Sequence, residues 1–169
     1  MKKIIVLLFF ITVLISLTSG NTSGILIPSD AIRFRIIANS NSLEDQTTKI
    51  NIRKEIEPVF AEILESSTSK EETKKLINQN IPRFEEIIES YNVEYSIDYG
   101  NNFFPEKEYK GIIYPAGNYE SLVITLGSGL GENWWCVLFP PLCLLEASVE
   151  ESANTNYTFY IKEVLEKFS

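Results

Sequence analysis

The stretch from Gly127 to Cys143, GSGLGENWWCVLFPPLC, constrains this chain more than any other. It carries both tryptophans and both cysteines, and from Trp134 to Leu145 every residue is apolar or proline. Pro140 and Pro141 argue against a helix through it, because each removes a backbone donor and fixes φ. The run is also too short to span a bilayer, which needs about 20 apolar residues. The reading is a short strand from Trp135 to Phe139, a rigid Pro140-Pro141 turn, and a return closed by a Cys136–Cys143 disulfide. Such a segment is either a core strand with a stapled corner or a display of rigid aromatics to a partner. Alternate side chains face opposite ways, so one strand can serve both purposes. Aromatics held by prolines and a disulfide lose little entropy on binding. The candidate contact set is therefore Trp134, Trp135, Phe139, Pro140, Pro141 and Leu142.

The start of the chain bears on the cysteines. Lys2 and Lys3 precede an apolar run from Ile4 to Leu17 and then Thr18-Ser19-Gly20. This is the pattern of a secretory signal over residues 1–20, with cleavage expected after Gly20; an uncleaved N-terminal membrane anchor is the alternative. Either way the domain is expected outside the cytoplasm, where two cysteines pair. The formal charge is −8, and loss of Lys2 and Lys3 makes it about −10. An acidic domain lacks the Lys and Arg excess that neutralises phosphates, which argues against nucleic acid as a partner.

Residues 21–31 read as a spacer, 32–145 as one domain, and 146–169 as an acidic linker with a short amphipathic helix. Ile32 to Ala38 reads as the first strand, with Ile32, Phe34 and Ile36 on one face and Arg33 and Arg35 on a solvated one. Ser42 with Asp45 caps a first helix from Leu43 to about Leu64, buried through Ile52, Ile56, Phe60 and Ile63. Pro58 is expected to kink or split it. Ser69 with Glu72 opens a second helical stretch carrying Ile77, Ile81, Phe84 and Ile88. Pro82 is expected to divide that stretch, with Asn80 as a fresh cap. From Val93 the period becomes two, through Tyr95, Ile97 and Tyr99, and a loop is expected from Gly100 to Glu108. Strands near Ile112–Tyr114, Tyr119–Leu126 and Trp135–Phe139 read as an antiparallel meander. Tyr157, Ile161, Val164 or Leu165, and Phe168 fall at helical spacing. The sum is α+β: a mainly antiparallel sheet of about five strands, two helical stretches packed on one face, and a short C-terminal helix.

The chain has no histidine. That removes Ser-His-Asp and Cys-His catalysis and nearly all catalytic zinc chemistry, so neither an enzyme nor a metal site is expected. The glycines of Gly127 to Gly131 precede no helix pattern and read as a turn rather than a phosphate cradle. Glu132 beside Trp134 and Trp135 is the one acid in a setting like that of a sugar site, but no second carboxylate accompanies it. A cell-envelope glycan-binding protein using the paired tryptophans is the alternative reading to a protein contact.

At NWWCVLFPPLC the sequence resembles the stage II sporulation protein R family, whose hallmark near the domain end is G-x-NWWCV-x-FPPLC. RFRIIANSNSLEDQTTKINIR (33–53) is similar to that family's strand and N-S-D-S-x-x-D-Q helix start, with Asn41 where the family usually has Asp. Ile113 to Tyr119 resembles its L-P-A-G turn, and Leu130 departs from its glycine spacing. The resemblance runs in order from Ile32 to Leu145. It implies a signalling protein without cofactors, made in the forespore and exported into the space between forespore and mother cell. There it would activate a membrane-embedded aspartic protease that cleaves the sigma E precursor. A second candidate contact is the loop of Asn39, Ser40 and Asp45.

Overall fold

The computed structural model describes residues 25–109, 112–143 and 163–166. Its elements are β1 (Ile25–Leu26), β2 (Ile32–Ile37), α1 (Leu43–Ser66), α2 (Lys70–Glu89), β3 (Tyr95–Phe104), β4 (Lys107–Tyr109), β5 (Ile112–Tyr114), β6 (Gly117–Leu126) and β7 (Asn133–Phe139). The signal segment and most of the acidic linker and last helix lie outside the described residues.

Four strands form the main sheet in the order β3-β6-β2-β7. β3 runs antiparallel to β6 and β7 antiparallel to β2, but β2 and β6 are parallel, with Phe34 opposite Leu122. Parallel neighbours need a long crossover. Here α1 and α2 fall within it, and both helices pack on one face, as the periodicity predicts. Ile32, Phe34 and Ile36 of β2 meet Ile52, Ile56 and Phe60 of α1 in the principal core. A second sheet, β1-β5-β4, pairs β1 parallel and β4 antiparallel to β5.

The expected meander from Tyr109 to Phe139 does not form, because β2 inserts between β6 and β7. β2 is buried on nearly its whole length, so it needs a hydrogen-bonding neighbour on each side. Both helices also run unbroken through their prolines. Pro58 and Pro82 lie on exposed faces, where water takes the carbonyl each leaves without a donor. Asn80 is no cap; its Nδ2 donates to the Leu76 carbonyl within the helix at 2.9 Å. The loop expected from Gly100 is strand as far as Phe104, paired with β6 throughout.

The largest correction concerns Arg33. It is 1% exposed, not on a solvated face, and Arg35 is half-buried. The face of the main sheet away from the helices carries a second apolar group, Phe104, Tyr119 and Val123, with Ile37 and Trp135 packed on it. At the end of β2 a third group gathers Ile27, Ala31, Tyr114, Val137 and Leu142, against which Val164 and Leu165 of the helical turn at 163–166 pack.

Candidate functional site

β7 places its side chains on both faces of the main sheet. Trp134 points to the helices, edge-on to Phe34 at 5.9 Å between ring centroids, with the Arg53 guanidinium 4.7 Å over its ring. Trp135 points the other way, edge-on to Phe104 at 5.4 Å, with Lys107 Nζ 5.0 Å from its ring centroid. Both indoles are half-buried. Each contacts apolar groups on one side and a cation on another.

The strand then turns through Phe139 and a cis Phe139–Pro140 bond. Leu142 N–H donates to the Val137 carbonyl at 3.1 Å, folding the chain back on the strand. Cys136 and Cys143 are disulfide-bonded, with Cα atoms 5.3 Å apart. Of the six candidate contact residues, Pro140 and Leu142 are buried, Leu142 in the group that holds Ile27 and Tyr114. Trp134, Trp135, Phe139 and Pro141 are half-buried. The stapled corner is thus core on its inner side and partly open on its outer side.

At the other end of β7, the turn from Gly127 to Glu132 is tied to residues 38–41. Asn39 Oδ1 accepts from Ser128 N–H at 2.9 Å, and Asn39 O accepts from Ser128 Oγ at 2.9 Å and Leu130 N–H at 3.1 Å. Asn41 Oδ1 accepts from Glu132 N–H at 2.7 Å. Gly131 N–H donates to Ala38 O at 2.9 Å, and a Cβ at Gly131 would stand 2.3 Å from the Ser40 carbonyl oxygen. Gly127 has φ +53 and lies directly against the Asn39 side chain. Glycine is therefore required in this turn by close approach and by backbone conformation.

The start of α1 braces the same loops. Ser42 Oγ accepts from Asp45 N–H at 3.1 Å as the helix cap. The Asp45 carboxylate accepts from Ser40 Oγ and from Asn39 Nδ2. The Ser40 hydrogen bond above all, against an opposing effect of desolvation and with help from Asn39 and Ser42, holds the Asp45 carboxyl below its ordinary range. Lys49, 6% exposed, donates to Gln46 Oε1 at 2.7 Å and to the Glu132 carbonyl at 2.9 Å. Burial pushes its ammonium pKa down. Asn39, Ser40 and Asp45 are thus brought together with the glycine turn, but as its internal bracing. Beside them lies a cleft of about 230 Å³ lined by Asn39, Asp45, Thr48, Val93, Glu94, Leu126 and Gly127. Two leucines flank this end of the molecule in solvent, Leu43 at 86% and Leu130 at 82% exposure.

Sequence reasoning did not find the roles of Lys49 and Arg53, which connect α1 to the turn before β7 and to β7 itself. Their i, i+4 spacing on the helix was the available signal. Among the described residues, no group of three or more His, Cys, Asp or Glu side chains is placed to hold a metal ion, and no helix is long and apolar enough to cross a membrane.

The family model described as stage II sporulation protein R matches residues 28–149. The stage II sporulation protein R of Bacillus subtilis (strain 168) is 37% identical over 171 aligned positions, covering 91% of this chain and 76% of that relative. No solved structure gives a significant match.

Proposed function

The chain belongs to the stage II sporulation protein R family and so has a function in sporulation, and on that premise we propose that it is an exported signalling protein rather than an enzyme. In this reading the forespore makes it and exports it into the space between forespore and mother-cell membranes. Its target is the mother cell's membrane-embedded aspartic protease, which then cleaves the sigma E precursor. The contact is the 127–143 segment. One observation carries the assignment: β7 and its disulfide-closed corner are anchored on their inner side, while Trp134, Trp135, Phe139 and Pro141 remain partly accessible. A rigid display of this kind keeps the entropy cost of association low. A cation beside each indole takes up part of the ring face that a sugar would stack on, which favours a protein partner over a glycan.

The test is processing of the sigma E precursor in sporulating cells carrying Trp134→Ala, Phe139→Ala or Leu130→Asp. Leu130 lies in the segment and is largely exposed, so its variant changes the surface without opening the core. Processing should fall at least tenfold in the first two, with secreted, folded protein still present, and should weaken in the third. If the two aromatic variants unfold and Leu130→Asp signals normally, the segment is core and the contact lies elsewhere.

A further inference from the structure

Between the two sheets, on the face away from the helices, positive charge is buried without a negative partner among the described residues. Arg33 stacks on Tyr119 with its guanidinium carbon 3.5 Å from the ring centroid, and Phe104 lies 5.3 Å away. Its Nη2 donates to the Pro115 carbonyl at 3.4 Å, a long bond, and its Nε and Nη1 have no acceptor. Arg35, two residues along β2, sits 4.7 Å from the Phe104 centroid, and its Nε also lacks an acceptor. Trp135, across from Arg35 on β7, buries an indole Nε1–H without one. Lys107 stands over that indole. Among the described residues, no carboxylate forms an ion pair with Arg33, Arg35 or Lys107.

Buried donors are almost always satisfied, and a buried cation is costly unless paired. Ring faces offset part of that cost, but they do not accept the in-plane N–H groups left over here. The unpaired N–H atoms are themselves buried, while Arg35 and Trp135 are half-buried and Lys107 is exposed, so the side chains that cover them meet solvent along this edge. We propose that the cluster of Arg33, Arg35 and Trp135 is a binding site for a carboxylate group carried by a peptide. The guanidinium groups lie against the Phe104 and Tyr119 rings, and guanidinium and indole N–H groups donate in their own planes. This suits a planar, singly charged carboxylate. Arginine also pairs with phosphate, so the choice of carboxylate rests on the flat rings around the donors, which suit a planar group better than a tetrahedral one. The carboxylate can be an acidic side chain or a chain terminus. The chemistry is shared, and two probes separate the sources.

The experiment follows the two indole N–H signals of the purified chain by ¹H–¹⁵N spectroscopy at constant ionic strength. N-acetylalanine supplies a terminal carboxylate, N-acetylaspartyl amide a side-chain one, and chloride is the control. At least one carboxylate should move the Trp135 signal saturably while that of Trp134 stays in place, and the probe that does so identifies the source. Arg35→Gln should weaken binding about tenfold or more, the worth of one charged hydrogen bond. Lys107→Gln, at an exposed position that leaves the fold intact, should weaken it a few-fold. The proposal falls if neither carboxylate moves the signal, if chloride moves it equally, or if inorganic phosphate binds more tightly than both. It falls too if Lys107→Gln and a folded Arg35→Gln both bind like the parent chain.

Discussion

The guanidinium of Arg33 lies flat against the Tyr119 ring, 3.5 Å from its centroid, and both residues are buried. A desolvated cation–π contact stabilises by about 2 kcal/mol, whereas taking one charge out of water costs several kcal/mol in a real protein. Desolvation should win. Arg33→Met, which keeps the length and apolar stem, is expected to raise stability by about 1–3 kcal/mol in urea unfolding without added carboxylate. A loss of more than about 1 kcal/mol would show that the stack alone outweighs the cost of burial.

The turn that ties β6 to β7 should tolerate alanine at neither Gly131 nor Gly127, and to different degrees. At Gly131 the new Cβ meets the Ser40 backbone, which must shift, so Gly131→Ala should cost about 2–3 kcal/mol. At Gly127 it meets the Asn39 side chain and a φ of +53, so Gly127→Ala should cost about 1–2 kcal/mol. Equilibrium unfolding of the two variants checks both the size and the order.

The Cys136–Cys143 ring is short, with a sequence separation of 7. Loop-closure entropy for such a ring is about 2.5 kcal/mol. The Cys136→Ala/Cys143→Ala double variant should therefore stay folded near 25 °C while losing about 2 kcal/mol, read from thermal melts beside the parent chain. A loss near zero would mean that the apolar contacts of Leu142 hold the corner by themselves.

Asp45 makes stability depend on acid. Its pKa is depressed below 3.8 in the folded chain, so its contribution is complete above that value and is lost as pH falls through the lower, folded one. Asp45→Asn should consequently flatten the decline of stability below about pH 4 relative to the parent chain. Acid titration followed by circular dichroism measures this. Parallel curves for the two proteins would remove Asp45 from the account.

Much of the fold was legible because its signals are local. Ile52, Ile56 and Phe60 marked the buried face of α1, Ser42 and Ser69 marked the caps, and the spacing of the cysteines announced the stapled corner. Pro58 and Pro82 misled, since both lie on exposed faces, where water can reach the carbonyl that each leaves bare. The candidate site was half legible. The Trp-rich strand was evident, but the function of Asn39 as acceptor for the glycine turn joins residues 89 positions apart.

The sequence by itself determined the two helices, most strands of the main sheet, their buried stripes, the disulfide and the family, because periodicity, capping and motif spacing act over a few residues at a time. Only the tertiary structure decided that β2 lies between β6 and β7, and that the reverse face of β2 is covered. An alternating strand with arginines reads the same whether its second face meets water or another sheet. Strand order and coverage are set by where distant segments reduce exposed apolar area most, and that is a property of the whole chain. Arg33 is where the two levels part: polar by residue type, interior by position.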